Sequence, residues 1–458
     1  MNKILAITGL TWKSAFRYRL FWVMLVLLIA AVVGLPLILQ DDGTAKGLTQ
    51  ILLTYTLSAV VALLGFATLW LSCGTLAKDV EECQMQVVAV KPIARWQIWL
   101  GKWLGMVTLD AVLLALAGAG IFFLLQWRAA RLPASEQRIL REDVFVSRAS
   151  IREPPPDLSP VIEQEVARRV GKQQFSATDL SEIRQQVTAE ITSALTEVQP
   201  GYSRWWAVNL QPLKDHLRDQ PLLLRIKFHT ANPDTDKQYP MLWIVGPTNA
   251  VGQMALQEKF PPDSFQEFSI PPNLFDDQGR LYIQFVNPND ISIIFPLDEG
   301  VELLYPESSF GVNFIRGLLI ILCWLALLAS LGLACASFLS FPVAAFVSLA
   351  LLLLGLSSGT IGTVVTNGTI TSYDSAKSGF SHSPVDLILV PIFRGALKII
   401  NLVEAFSPID FLSSGRSITW GELGSAVMQI VFLLGGFFCA VGMILFARRE
   451  LATAQGNN

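Results

Sequence analysis

The chain has 458 residues, 52% of them hydrophobic and 16% charged, with a net charge of -3; an ordinary soluble domain carries roughly 25% charged residues. The apolar residues gather in blocks of about twenty, the length of a bilayer crossing, rather than spreading as a large soluble core would. No basic tract is dense enough for nucleic acid. The cysteines, Cys73, Cys83, Cys323, Cys335 and Cys439, all lie in or beside apolar blocks, which argues against a disulfide scaffold or a zinc site.

In chain order, Lys3 to Arg19 reads as an amphipathic helix on the inner membrane surface, with Ile4, Leu5, Ile7, Leu10 and Trp12 available to lipid. About six spans follow: Leu20 to Leu39, Ile51 to Cys73, Trp103 to Gln126, Gly317 to Leu339, Phe341 to Val365 and Ser425 to Ala447. They must be helical, because lipid offers backbone groups no partner. The first reads as a retained span, not a removed signal. Ser340 and Pro342 punctuate the fourth and fifth as a tight hairpin. Gly34 with Pro36, and Gly355, Gly359 and Gly362, suit kinks or close helix packing.

Orientation follows from basic residues near the span ends. Lys3, Lys13, Arg17 and Arg19 precede the first span, Arg448 and Arg449 follow the last, and residues 74–102 carry Lys78, Lys91, Arg95 and Lys102, whereas Asp41 and Asp42 open the first outer loop. Both termini are therefore expected in the cytoplasm and residues 127–311 outside, in a cell membrane of the bacterial inner type. A second outer stretch is expected over 366–422, within which 386–404 is apolar but broken by Pro391, Arg394 and Lys398, as in an interfacial or re-entrant helix. Arg316 is expected to snorkel to headgroups. Asp110, a carboxylate inside the third span, either lines a translocation path or reaches the inner interface or a neighbouring hydroxyl.

The insert divides in two. Residues 134–200 are charged, with Val161, Val166, Val170, Leu180, Ile183, Val187, Ile191 and Leu195 near a three-to-four period, so helices are expected on either side of Ser176. Residues 220–306 alternate as strands, Leu222 to His229, Met241 to Val245, Phe265 to Ile270, Leu281 to Val286 and Val301 to Tyr305, predicting a small β-sandwich. The expected fold is thus an α-helical polytopic membrane protein with an inserted extracytoplasmic α+β domain. Trp205, Trp206 and Trp243 are available either to the sandwich core or to a ligand such as a glycan.

The chain lacks a G-x-x-x-x-G-K-[ST] loop and an H-E-x-x-H pair, and His216, His229 and His382 are scattered, so neither ATP hydrolysis nor another catalytic activity is expected of it alone. The loop after the second span runs from Lys78 through Glu81, Glu82, Cys83 and Gln84 to Val87, Val88, Val90, Lys91, Pro92, Ile93 and Arg95, then Leu100, Gly101 and Lys102. It resembles the corresponding loop of permeases of type-2 ABC exporters: an acidic cluster, a short apolar helix, a Lys-Pro-Ile-x-Arg turn and a Leu-Gly-Lys run. The family's usual Gly-Thr is here Cys83-Gln84.

The resemblance implies that Glu81, Glu82, Val87, Val88, Lys91, Pro92 and Arg95 dock on a cytosolic ABC ATPase subunit that holds the ATP and Mg, with no cofactor on this chain. It also implies a second permease chain, identical or related. The insert is beyond the family's minimum and is available to a periplasmic partner. A different reading is a membrane anchor or sensor that does not transport, whose insert binds a cell-envelope ligand or protein.

Overall fold

A computed structural model of the chain describes residues 2–17, 19–38, 44–81, 93–140, 145–154, 156–171, 177–217, 219–230, 237–247, 253–276, 278–297, 299–370, 373–374, 379–380 and 385–449. It is mostly helical and divides into two compact units, Met1–Ser147 with Ser308–Asn458, and Arg148–Glu307. The second is narrower than the 127–311 read from the sequence.

The first unit opens with helix α1 (Asn2–Arg17) and helix α2, which runs as Arg19–Ile29, a π-helical stretch Ala30–Gly34 and Leu35–Ile38. Next come α3 (Ala45–Glu81), α4 (Arg95–Ala129), α5 (Phe310–Ala336), α6 (Phe341–Leu356), α7 (Ser358–Asn367) and α8 (Asp386–Glu404). Last is α9, Trp420–Arg448, continuous through a π-helical segment at Val427–Gly435.

Among the described residues, five helices (α2, α3, α4, α5 and α9) are long and apolar enough to cross a membrane; the bent pair α6 and α7 makes up to six. That number suits a membrane protein. Leu116, Phe123, Phe346, Leu356, Phe432 and Phe437 stand exposed on these helices, the outward apolar surface of helices hydrophobic all round.

Several expectations are corrected. The fifth block is two helices meeting at 60°: Ser357 leaves the helical region (φ -92°, ψ 18°) and donates to Leu353 O at 2.8 Å, between Gly355 and Gly359. A Cβ at Gly355, Gly359, Gly362 or Gly34 would meet nothing within 4 Å, so these glycines do not pack helices together. Other glycines do. A Cβ at Gly101 would lie 2.8 Å from Ile7, at Gly105 2.6 Å from Thr11, and at Gly118 2.5 Å from Leu318. Gly101 and Gly105, one turn apart, let α1 lie against α4. Thr8 Oγ1 donates to Gly101 O at 3.1 Å. Ile7 is consequently buried against protein, while Leu5 and Leu10 remain exposed.

Helix α8 lies along α7. The Asp386 carboxylate accepts from Thr369 Oγ1 at 3.0 Å and Ile370 N at 3.2 Å, and Ser358 Oγ donates to Glu404 at the other end. Within the 366–422 stretch, residues 386–404 thus form the second arm of a helical hairpin.

In the second unit, strands β1 (Val146–Ile151), β2 (Glu197–Val198), β3 (Ser203–Asn209), β4 (Leu222–Ile226), β5 (His229–Thr230), β6 (Tyr239–Gly246), β7 (Met254–Phe260), β8 (Gln266–Ile270), β9 (Arg280–Val286), β10 (Ile293–Ile294) and β11 (Val301–Ser309) form sheets ordered β1-β11-β4-β8, β3-β9-β6-β7 and β2-β10-β5. Leu224, Ile226, Phe268 and Leu303 from the first sheet and Trp206, Met241, Trp243 and Phe285 from the second share one core, the β-sandwich arrangement. Strand β1 falls inside 134–200, a stretch read as helical, and β3 and β7 were not anticipated. Helices Ser159–Val170 and Ala177–Thr196 pack on each other and are laced by Arg169 to Glu190 (2.6 Å) and by Arg184 to Glu163 (2.7 Å), while Arg169 also pairs with Glu165 of its own helix (2.9 Å).

Candidate functional site

Residues 82–92, and with them Glu82, Val87, Val88, Lys91 and Pro92, lie outside the described residues; their two flanks are well defined. On the leading flank, α3 carries its helix well past its apolar block. Its last turn places Glu81 where Oε1 accepts the N–H of Phe341 at 2.8 Å, at the first turn of α6, and Lys78 Nζ sits 4.7 Å from the centre of the Phe341 ring. The α6 cap residue Ser340 makes no side-chain cap bond. Glu81 therefore satisfies an N-terminal donor that the helix itself cannot, with a charge of the sign the helix dipole favours.

On the trailing flank, Arg95 begins α4 and its Nη1 donates to Phe446 O (3.1 Å), Ala447 O (2.7 Å) and Arg449 O (2.8 Å). Arg449 in turn donates to Ala336 O at 3.0 Å and Leu339 O at 3.5 Å. Two guanidiniums thus close two helix C-termini, where free carbonyls and the dipole both call for a cation. One turn on, Trp99 Nε1 donates to Ser337 Oγ at 3.2 Å, and a Cβ on Gly442 would lie 2.9 Å from that indole nitrogen. The flanks are also tied to each other: buried Lys102 reaches Asp79 Oδ2 at 2.5 Å and Thr75 O at 2.7 Å. α3, α4, α5, α6 and α9 therefore meet around the ends of residues 82–92.

Asp110 lies apart from this cluster. It is buried on α4, with Oδ1 accepting from Thr68 Oγ1 at 2.9 Å and Oδ2 without a partner. It borders a small cavity of about 20 Å³ walled by Phe21, Leu25, Leu28, Leu64 and Leu113, enough room for one water molecule. The neighbouring hydroxyl is the partner envisaged for this carboxylate; among the described residues no second charged group joins it there.

Arg316 does not snorkel. It is buried, donates to Ile418 O at 2.8 Å and stacks 4.5 Å from the Trp420 ring, because the chain before α9 folds back over it. Gly355-Leu-Ser357-Ser-Gly359 has the G-x-S-x-G spacing of a nucleophile elbow. That elbow needs a strand before the serine and a helix after, whereas Ser357 lies between two helices with its hydroxyl on Leu353 O. Among the described residues no three of His, Cys, Asp and Glu gather as metal ligands would.

In the insert, Trp206 and Trp243 are core, while Trp205 is 47% exposed. Trp205, Ala207, Tyr282 and Glu153 border an open hollow of about 360 Å³. His229 pairs with Asp263 at the surface. No protein-family model, curated protein or solved structure matches the chain.

Proposed function

We propose that the chain is the transmembrane permease subunit of an ABC transporter, an exporter, which moves its substrate with energy from a separate ATPase subunit. In this reading it is a polytopic protein of a bacterial inner membrane with six spans. α6 and α7 together make the fifth, both termini are cytoplasmic, and the sandwich unit lies outside. ATP and Mg belong to a cytosolic ABC ATPase, and a second permease chain completes the pathway.

The observation that carries the proposal is the fixing of both flanks of residues 82–92. Glu81 is bound to α6, Arg95 to the end of α9, and Lys102 to α3. A soluble subunit pushing on residues 82–92 would act on five helices at once, which is how a rigid-body transition is driven. Loop residues that served only as a linker would need none of these ties.

Purification of the tagged chain from its host in mild detergent, followed by mass spectrometry, tests this directly. A stoichiometric ATPase carrying a G-x-x-x-x-G-K-[ST] loop is expected. Replacing Glu82 and Arg95 together should then uncouple its ATPase activity from transport. Recovery of envelope proteins alone would favour the membrane anchor or sensor, a reading supported by the exposed Trp205 hollow of the insert.

A further inference from the structure

Among the described residues strand β3 is an edge of its sheet, and the direction of its backbone bonds follows from its ends. Asn287 N donates to Tyr202 O at 3.0 Å and Leu210 N to Gly279 O at 2.7 Å. With Ser203 opposite Val286 and Asn209 opposite Arg280, the even-numbered residues bond to β9. The N–H and C=O groups of Ser203, Trp205, Ala207 and Asn209 therefore point away from the sheet. Ala207 N agrees: its partner is the Glu153 carboxylate, at 3.4 Å, and not β9. Natural edges are usually blunted by charge, proline or a bulge. The opposite edge, β7, has Glu258 and Lys259; β3 has one charge, Arg204, held on the inner face over the Trp206 ring, and its odd-numbered side chains are all exposed.

We propose that two copies of this chain pair through their β3 edges, antiparallel across a two-fold axis at Trp206, joining two β3-β9-β6-β7 sheets into one. This is the register in which the whole strand overlaps its mate, and its outer-face side chains are complementary. On the outer face Ser203 meets Asn209 of the second copy, polar against polar. Trp205 meets Ala207 of the second copy, the largest side chain against the smallest. Beside Ala207 lies the hollow bordered by Tyr282 and Glu153, and the incoming indole fills it. The long contact from Ala207 N to Glu153 is replaced by a strand hydrogen bond to Trp205 O of the second copy. A register shifted by two residues either way sets Trp205 against Trp205, or Ala207 against Ala207, and shortens the overlap. The pairing is isologous, as a two-fold requires, and does not depend on the transport reading.

The test uses full-length chains with two different affinity tags, co-expressed and oxidised in native membranes. With W205C on one and A207C on the other, a disulfide-linked product carrying both tags is expected, since opposed hydrogen-bonded residues have Cα atoms about 5.5 Å apart, within the disulfide range of about 4.4–6.8 Å. W205C with Q257C, on the far edge, should stay unlinked. An S203C and N209C pair should link, and adding A207P, which removes an outward N–H but no bond to β9, should abolish that link. Absence of the mixed-tag product, equal linkage of W205C to A207C and Q257C, or linkage of W205C only to some other protein would overturn the proposal.

Discussion

Glu81 and Phe341 are 260 residues apart in sequence, and the Glu81 carboxylate receives the Phe341 N–H at 2.8 Å. The helix α6 thus takes its N-terminal cap from the end of α3. Replacing Glu81 with alanine should cost about 1 kcal/mol, the usual size of a lost cap, and glutamine should retain part of it. Thermal unfolding in detergent measures the loss. Proteolysis near residue 340 should quicken in the alanine variant only.

Arg95 closes the last helix through three carbonyls. Lysine keeps the charge but not the planar fork, so Arg95→Lys should already loosen the carboxyl-terminal turn, and Arg95→Ala should destabilise by about 1.5–3 kcal/mol, the scale of hydrogen bonds to a charged group. Faster amide hydrogen exchange confined to residues 444–449 is the expected signature. Uniform acceleration across the bundle would assign Arg95 a wider role.

Asp110 separates two roles by substitution. Asp110→Asn preserves size and an acceptor for Thr68 and should leave the unfolding midpoint close to that of the parent, while transport falls at least tenfold, a change of about 1.4 kcal/mol, if the carboxylate serves the pathway. Transport equal to the parent would leave Asp110 a structural partner of Thr68.

Helix contacts at glycine should be intolerant where the structure is tight and indifferent where it is open. A Cβ on Gly332 would lie 2.0 Å from Ser72 Oγ and 3.1 Å from Leu69 O, whereas one on Gly362 meets nothing within 4 Å. Gly332→Ala should destabilise by about 1–3 kcal/mol and Gly362→Ala should stabilise slightly, by roughly 0.5–1 kcal/mol. Unfolding of the two variants side by side checks the contrast.

The helix pair of the insert should respond to acid. Hydrogen bonds from Arg168 and Arg169 hold the Glu165 carboxyl below its usual range, and a hydrogen bond from Arg169 does the same for Glu190. A depressed carboxyl contributes stability above its unfolded value, about 4.3, and loses it as pH falls through the lower folded value. Amide hydrogen exchange across Ser159–Val170 should therefore quicken, beyond its intrinsic pH dependence, below about pH 4. The effect should be modest, because these groups are exposed and salt screens them, and it should vanish in an E165Q and E190Q double variant.

Much of the architecture is local and therefore legible. Lipid-length apolar blocks locate α2 to α6 and α9, and alternation locates β4, β6, β8, β9 and β11, because hydropathy and side-chain period depend only on neighbours along the chain. The limits of that legibility have local causes too. Apolar blocks end where charges begin, at Cys73 and before Trp103, but helical hydrogen bonding does not, so α3 continues to Glu81 and α4 starts at Arg95. In β3, which lies between the stretch read as helical and the stretch read as strands, Arg204 breaks the apolar alternation of the inner face.

The candidate site divides the same way. The sequence by itself determined that a charged loop with an apolar centre separates two long helices, and that Asp110 sits within an apolar block. Only the tertiary structure decided what those charges meet: Glu81 the start of α6, Arg95 the end of α9, Arg316 the carbonyl of Ile418. Each partner is a backbone group beside the end of a distant element, and for Glu81 and Arg95 it is one that the end of helical hydrogen bonding leaves free. No residue type marks such a group in a sequence, so its partner appears only when the chain has folded.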